Sequence, residues 1–149
     1  MALLLQRMST AKRCYATVEA VRSVADGFKQ EGISHPSQHS LETLLGEIYK
    51  TVDVDQVKYV ECHGSGTPIG DPIECDALAE AFAQAGRSEW PLLIGSVKSN
   101  TGHAEAAAAL NGVAKVLLTF IRGELPRNLH FKSPNNSSKS LSSGQLQVK

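Results

Sequence analysis

Residues Val57–Glu74 have the sequence VKYVECHGSGTPIGDPIE, which passes from an apolar segment through a glycine-rich turn into a helix start. The β-branched and aromatic residues of Val57–Cys62 predict a strand. Gly64–Gly70 predicts a turn, and Asp71 followed by Pro72 is the pattern of an N-cap and a first helical position. The stretch therefore predicts a strand–turn–helix unit.

A second unit of the same kind follows along the chain. Leu92–Ile94 is a continuous apolar run, which is typical of a strand buried on both faces of a parallel sheet. The loop Ser96–Gly102 then leads to the longest predicted helix, His103–Arg122, which is apolar on nearly all sides and is therefore expected to be buried. Strands that alternate with helices indicate an α/β fold with a largely parallel sheet.

The flanking segments have weaker patterns. Ala2–Gln6 and Cys14–Val21 are predicted to be strands, and a helix with one leucine-rich face is predicted from Pro36. Residues 132–149 are rich in Ser, Asn and Lys, which predicts a linker with a short final strand at Gln145–Val148.

The composition excludes several classes of protein. The chain has 149 residues, with 15 Lys and Arg against 15 Asp and Glu, so it lacks the excess positive charge of a nucleic-acid-binding surface. Its longest apolar stretch near the start, Ala2–Leu5, is too short for a membrane span or a signal sequence. Three cysteines without CxxC spacing argue against a disulfide framework and predict a cytoplasmic protein.

Two histidines follow the two best-defined strands. His63 comes directly after the first strand, and His103 follows the loop after the second. Because ligands bind beyond the carboxyl ends of parallel strands, we expect both histidines at the same edge of the sheet. The helix dipole at a helix start would favour the neutral imidazole of His103, which is a hydrogen-bond donor to a developing oxyanion. A single loop histidine is usually a solvated or capping residue, but two in matching settings favour a site.

Other residues of the same loops have two possible explanations. Glu74 lies three residues after Asp71, so it fits a capping box as well as an ion pair with Lys98. The cysteines are better explained as small packing residues than as nucleophiles. A zinc site is disfavoured because the adjacent Cys62 and His63 point to opposite sides of a strand.

Three motifs resemble those of β-ketoacyl synthases. Residues 60–74 resemble the family's HGTGT-x-x-GDPxE motif, and residues 95–103 resemble its KSNxGH motif. Asn128–Phe131 matches the NLHF that follows the long helix in multidomain fatty acid and polyketide synthases. The resemblance implies a thiolase-like fold and a transferase (acyltransferase) activity, the decarboxylative condensation of an acyl thioester with a malonyl group in fatty acid or polyketide biosynthesis.

The resemblance also implies residue roles and partners. It assigns His63 and His103 to polarising the malonyl thioester, Lys98 to the motif lysine with Glu74 as its ion-pair partner, Ser65 and Thr67 to binding the phosphopantetheine arm, and Gly64, Gly66, Gly70, Asn100 and Gly102 to shaping the loops. Ser65 stands where threonine is commoner. No cofactor or metal is implied to bind the chain directly, since the substrates are carried on the phosphopantetheine of an acyl carrier protein. The implied partners are that carrier, the N-terminal half of a ketosynthase and a second copy in a homodimer, with no nucleic acid and no membrane.

Two family motifs are absent from the sequence: the Gly/Phe-rich gating motif near the end of the family's domain, and the motif of the nucleophile. The TACSSS-like segment that carries the nucleophilic cysteine in the N-terminal half of the family does not occur here. Residues 1–131 are therefore predicted to be the C-terminal part of a ketosynthase domain, inactive alone. Two alternatives remain: a non-catalytic thiolase-like module for dimerisation or carrier binding, and a small-molecule or phosphate-binding α/β domain that uses the same glycine-rich loops.

We predict that the isolated chain does not form an acyl-enzyme. None of Cys14, Cys62 and Cys75 lies in a nucleophile motif, so incubation with a radiolabelled acyl donor should leave all three thiols unmodified. Stoichiometric, protein-bound thioester on any of them would contradict this expectation.

Overall fold

The fold is built on a parallel sheet covered by helices. The computed structural model describes residues 2–32 and 34–149. Within these residues, three strands form one sheet, and five α-helices and three 3₁₀ turns complete the fold. The strands are β1 Tyr59–Glu61, β2 Leu92–Gly95 and β3 Leu146–Val148. The helices are α1 Gln38–Tyr49, α2 Gly70–Gln84, α3 Lys98–Thr101, α4 Ala108–Arg122 and α5 Lys139–Ser142, and the 3₁₀ turns are Met8–Thr10, Val54–Gln56 and Glu105–Ala107.

The central strand of the sheet is β2. It pairs in parallel with β1 on one side and with β3 on the other, in the order β1-β2-β3. Leu92 and Ile94, which point to the same face, are buried, whereas Leu93 on the opposite face is only partly buried, so the predicted burial of both faces is complete on one face only. The predicted α/β class and the predicted parallel arrangement are confirmed.

The hydrophobic core lies between this sheet and two long helices. Helix α1 packs against α2, and the rings of Tyr49 and Phe82 lie 4.5 Å apart between centroids. The buried core residues are Val54, Cys75, Leu78, Ala79, Phe82, Leu92, Ile94 and Leu146. Gly86 has a φ of +85° just beyond α2, which confirms the predicted glycine stop.

The start of α2 differs from the prediction in its capping. The helix begins at Gly70, so Asp71 lies inside the first turn instead of at the N-cap. Glu74 does not form the capping box, because its carboxylate accepts hydrogen bonds from the backbone of His63 and Gly64. The start of the helix is stabilised by Asp71, whose carboxylate accepts from the Gly66 N–H, and the β1–α2 loop folds back over the helix.

The strands predicted at Ala2–Gln6 and Cys14–Val21 are wrong. Residues 2–32 form no strand, and their one regular element is the turn Met8–Thr10. A strand needs a partner for its backbone hydrogen bonds, and the described sheet has β1 and β3 at its edges, not these segments. The apolar side chains of the two segments line a groove against α4 instead.

Helix α4 also differs from its prediction. It begins at Ala108, five residues after His103, and it ends as predicted at Gly123, which has a φ of +70°. The expected burial is wrong for this chain, because only Gly112 and Lys115 of α4 are buried. Five of its large apolar side chains are exposed: Leu110, Val113, Leu118, Phe120 and Ile121. None of the helices in residues 2–32 and 34–149 combines the length and apolar character that a membrane span requires.

The C-terminal segment is packed onto α2. The Ser-rich composition predicted a linker for residues 132–149, but this range contains α5 and the predicted final strand, β3. Asp76 of α2 accepts hydrogen bonds from the hydroxyls of Ser138 and Ser140 and from the backbone N–H groups of Lys139 and Ser140. Composition missed this contact because the serines act through a partner 62 and 64 residues away. The domain division at residue 131 stays a prediction.

We predict a pH-dependent loss of stability on changing Asp76→Asn. Burial raises the pKa of Asp76, but hydrogen bonds from Ser140, Ser138 and Lys139 outweigh burial and leave the pKa below its ordinary value of 3.8. The carboxylate therefore stabilises the fold above about pH 4, and this contribution is lost as the pH falls through the lowered pKa. Urea unfolding should give a loss of about 2 kcal/mol at pH 7 and a smaller loss at pH 3.

The matched control is Glu80→Gln, which changes an exposed carboxylate on the same helix and should have little effect at either pH. An equal loss for Asp76→Asn at both pH values would contradict the assignment.

Candidate functional site

The site lies at the carboxyl edge of the sheet, where β1 and β2 end side by side. His63 follows β1, and His103 follows β2 and the short helix α3. Their rings are 5.5 Å apart between centroids and meet edge to face, with an angle of 78° between the ring planes. Both side chains are exposed at this edge. The parallel sheet thus brings together two residues that are 40 positions apart in the sequence.

The backbone defines the proton position on His103. The N–H of Glu105 donates to Nδ1 of His103 at 2.9 Å, so Nδ1 must carry a lone pair. The proton of the neutral ring is then on Nε2, which is free to donate. The predicted helix start at His103 is wrong, because the helical run begins two residues later with the 3₁₀ turn Glu105–Ala107, which leads directly into α4. The N–H that contacts His103 belongs to the first residue of this turn.

The peptide unit after His63 is held from both sides. Glu74 accepts hydrogen bonds from the N–H groups of His63 at 2.6 Å and Gly64 at 2.9 Å. The carbonyl of His63 accepts from Nζ of Lys98 at 2.5 Å and from the hydroxyl of Ser96 at 3.2 Å. These four contacts fix the backbone that carries the His63 ring.

The predicted ion pair between Lys98 and Glu74 is not formed. Among the ion pairs of residues 2–32 and 34–149, none joins these two side chains. Both charged groups instead hydrogen-bond to the backbone around His63, which lies between them. Sequence reasoning paired them because opposite charges in neighbouring loops attract, whereas the folded chain offers each one a backbone partner.

Gly64 is required by a close approach of two loops. Its φ is +47°, and a Cβ atom there would lie 2.7 Å from Cβ of Ser96. Real side chains do not approach this closely, so the strand–loop junctions after β1 and β2 pack together only because residue 64 has no side chain.

The rest of the β1–α2 loop wraps around the start of α2. The N–H of Gly70 donates to the hydroxyl oxygen of Thr67 at 3.1 Å, and a Cβ at Gly70 would lie 2.6 Å from that oxygen. The N–H of Gly66 donates to Asp71. Ser65 and Thr67 both line the cavity beside the histidines.

The β2–α4 connection is shaped by α3 and its terminating glycine. The N–H of Asn100 donates to the carbonyl of Val97, and Gly102, with a φ of +74°, donates to the carbonyl of Lys98. Asn100 faces a different cavity from the one that contains His103. Its contribution to the site is therefore through the backbone turn that leads to His103.

Two cavities meet at the histidines. A cavity of about 550 Å³ is lined by His103, by Ser65 and Thr67 of the β1–α2 loop, and by the segment 128–131. A more apolar groove of about 830 Å³ lies between the N-terminal segment and α4, and it includes His63. Lys98 and Cys62 line both spaces.

Sequence reasoning missed several residues that support these loops. Asn128 accepts from the N–H of Ser96 at 2.9 Å, so the NLHF motif braces the loop after β2. Its position within a recognised motif was the available signal. Glu61 lies within the motif of residues 60–74, but Lys115 lies in no motif, and the pairing of the two gave no signal because they come from distant elements.

The two cysteines near the site are poor nucleophiles. Burial raises the pKa of Cys62 far above its ordinary value, and the neighbouring Glu74 adds to the effect. Burial likewise raises the pKa of Cys75 to about 12. Because the thiolate is the reactive form, both thiols are suited to packing. Within the described residues, no group of three or more His, Cys, Asp or Glu side chains is placed to hold a metal ion.

Comparison with solved structures defines the class as a thiolase-like ketosynthase fold. The ketosynthase from module 6 of the bacillaene synthase from Bacillus subtilis 168 matches with a TM-score of 0.76 and 40% sequence identity, covering 83% of this chain and 22% of that chain. A ketosynthase from the oxazolomycin system of Streptomyces albus JA3453 matches with a TM-score of 0.71 and 35% identity, covering 80% of this chain and 22% of that one.

Residues 15–132 match the family model described as the C-terminal domain of beta-ketoacyl synthase. The chain belongs to the β-ketoacyl synthase family.

The relatives are multidomain synthases. A highly reducing polyketide synthase of Aspergillus sclerotiorum is 37% identical over an alignment of 149 residues, and the match covers 95% of this chain and 6% of the relative. The fatty acid synthase of Anser anser anser is 43% identical over an alignment of 123 residues, and the match covers 81% of this chain and 34% of the relative. The chain thus spans a small part of the relatives that it matches.

We predict that Gly64→Ala disrupts the site more than Gly66→Ala. Both glycines have a positive φ, so each alanine costs about 1–2 kcal/mol of backbone strain. A Cβ at residue 66 meets nothing within 4 Å, whereas one at residue 64 collides with Ser96. Chemical denaturation should show the larger loss for Gly64→Ala, and NMR should show displaced His63 and His103 signals in that variant alone. Equal effects of the two variants would contradict the close approach.

Proposed function

We propose that this chain supplies the decarboxylation half of a β-ketoacyl synthase active site. His63 and His103 donate hydrogen bonds to the thioester oxygen of a malonyl group carried by an acyl carrier protein. The observation that carries the proposal is the histidine pair, with ring centroids 5.5 Å apart at the sheet edge where parallel α/β folds bind their ligands.

The chemistry needs donors at one oxygen. When the carboxylate leaves as CO₂, the electrons of the broken C–C bond form an enolate, and the negative charge develops on the thioester oxygen. Preorganised N–H donors at that oxygen stabilise the transition state. The Nε2–H of His103 is oriented for this role by the Glu105 N–H, which occupies the other ring nitrogen.

The enolate carbon then attacks the carbonyl carbon of an acyl thioester on a cysteine. The new C–C bond forms as the C–S bond breaks, and the cysteine leaves as a thiolate. Cys14 lies outside any nucleophile motif, and burial raises the pKa of both Cys62 and Cys75, so none of the three suits this step. We therefore assign the nucleophile to the N-terminal half of a ketosynthase domain, outside residues 1–149.

Lys98 and Glu74 act by positioning in this proposal. They hold the carbonyl and the N–H groups next to His63, so the ring direction is set before substrate binds. Such preorganisation lowers the cost of reaching the reactive geometry. Loss of either residue should displace His63 without removing a proton donor.

Ser65 and Thr67 would bind the phosphopantetheine arm. Both line the cavity of about 550 Å³ that contains His103. The oxygen of Thr67 already accepts from Gly70, so its O–H remains the donor available to an amide carbonyl of the arm. The carrier protein is thus proposed to approach from the side of the β1–α2 loop.

The exposed face of α4 supports the proposal that another part of the domain packs there. Leu118, Phe120 and Ile121 are 55%, 62% and 56% exposed, and together with Leu110 and Val113 they form an apolar surface that isolated proteins rarely display. We assign this surface to the N-terminal half of a ketosynthase, in an enzyme that works as a cytoplasmic homodimer. Three free cysteines are consistent with that reducing compartment.

The test is malonyl decarboxylation by this chain in complex with a cysteine-bearing N-terminal half. His103→Ala should lower the rate of CO₂ release from a malonyl thioester by about 100-fold or more, because one oxyanion donor is lost. His39→Ala, which changes an exposed histidine on α1, is the matched control and should leave the rate unchanged. Unchanged CO₂ release in His103→Ala would remove the role proposed for His103.

A further inference from the structure

Three polar side chains, of which Lys115 and Glu61 are the most deeply buried, form a cluster between α4 and β1. Nζ of Lys115, on α4, is 2.9 Å from Oε2 of Glu61, at the end of β1. Nζ also donates to the hydroxyl of Tyr59 at 2.6 Å, and that hydroxyl donates to the same Glu61 oxygen at 2.5 Å. The side chains of Lys115 and Glu61 are only 4% and 12% exposed. The three groups form a closed triangle beneath the sheet edge.

The tyrosine of this triangle stays protonated. Burial, reinforced by the hydrogen bond to Glu61, raises the pKa of Tyr59 far above its ordinary value of 10.0. The hydroxyl therefore remains both a donor to Glu61 and an acceptor from Lys115. Because both contacts are made to Oε2, they fix the orientation of the Glu61 carboxylate and therefore the direction in which Oε1 points.

The second oxygen, Oε1, contacts the loop that follows β2. Oε1 of Glu61 accepts a hydrogen bond from the N–H of Val97. Val97 lies between Ser96 and Lys98, the two residues whose side chains donate to the carbonyl of His63. Hydrogen bonds thus join α4 through Glu61 to the backbone of Val97, and the two residues next to Val97 bond to the peptide beside His63.

Two glycines leave the room that this cluster occupies. A Cβ at Gly112 of α4 would lie 3.1 Å from Cγ of Glu61, and a Cβ at Gly95 would lie 2.7 Å from the hydroxyl of Tyr59. The backbones of α4 and β2 therefore approach the polar side chains closely at both points.

A buried ion pair is a weak source of stability. Replacing one by apolar groups of similar volume is often neutral or stabilising, because desolvation offsets the Coulomb attraction. The three side chains therefore contribute little net free energy to folding, so we look for their role in the hydrogen bond that Glu61 accepts from Val97.

We propose that Glu61, held by Lys115 and Tyr59, is a positioning residue that sets the Val97–Lys98 turn against His63. Its effect on catalysis rests on the proposed decarboxylation function. Its effect on the loop is a property of this chain alone.

Two double variants separate positioning from charge. Glu61→Gln/Lys115→Met removes both charges but keeps an oxygen that accepts from Val97. Glu61→Met/Lys115→Met removes the charges and the acceptor together. Lys58→Met/Glu89→Met is the matched control, because it removes an ion pair whose side chains are both 65% exposed.

Two measurements are made on each variant. Amide hydrogen exchange of Val97 in the full 149-residue chain should be about tenfold faster in the Met/Met variant than in the Gln/Met variant, because one hydrogen bond to the amide is lost. In the complex with a cysteine-bearing N-terminal half, the Met/Met variant should show a kcat about tenfold lower than that of the Gln/Met variant at an unchanged KM, while the Lys58→Met/Glu89→Met control keeps the unmodified rate. A merely structural role would change thermal unfolding equally in both double variants and leave this difference absent.

Equal Val97 exchange in the two double variants would overturn the positioning role, and faster exchange with unchanged kcat would overturn its catalytic consequence. If the Met/Met variant does not fold, Gly112→Ala replaces it, since alanine favours the helix while its methyl group presses on Cγ of Glu61. Unchanged Val97 exchange in Gly112→Ala would then overturn the proposal. A complex of unmodified chains that releases no CO₂ would refute the proposed function, while Val97 exchange in the chain alone would still decide the positioning.

Discussion

The pairing of β2 with a parallel neighbour on each side is the constraint on which the rest of the structure depends. It places the carboxyl ends of β1 and β2 at one edge, where the N–H of Cys62 donates to the carbonyl of Gly95 at 2.7 Å. The loops that leave these ends must then pack against each other, and Gly64 makes that contact possible. The histidine pair follows from this contact between the loops.

Charged side chains stabilise the site mainly through the backbone. Glu74 accepts a hydrogen bond from the N–H of His63, and Lys98 donates one to its carbonyl. Glu61 accepts a hydrogen bond from the N–H of Val97. Hydrogen bonds between a charged group and the backbone are stronger than neutral ones, and they fix the direction of the groups that they join. The two histidine loops are thus rigid at their bases, while the rings themselves stay exposed.

The elements that local patterns predicted well are those whose determinants are local. The buried run of β2 and the glycine stops of α2 and α4 depend on residues within a few positions of each other. The prediction of two N-terminal strands was wrong because a strand needs a neighbouring strand to pair with, and the alternation of apolar and polar residues does not specify that neighbour. The prediction that α4 is buried was wrong for a related reason. An apolar helix needs a protein surface to cover it, but the described residues leave much of α4 exposed to solvent.

The sequence by itself determined the family and its candidate residues, since the two histidine loops carry motifs of fixed spacing and the parallel α/β order follows from alternating strand and helix patterns. Only the tertiary structure decided how those residues act on one another. It separated Lys98 from Glu74, placed the proton of neutral His103 on Nε2, and brought Lys115 to Glu61 across 54 positions of sequence. The physical reason is that a charged or polar side chain takes the best partner that the folded backbone offers, and no local pattern records which distant groups the sheet will bring within reach.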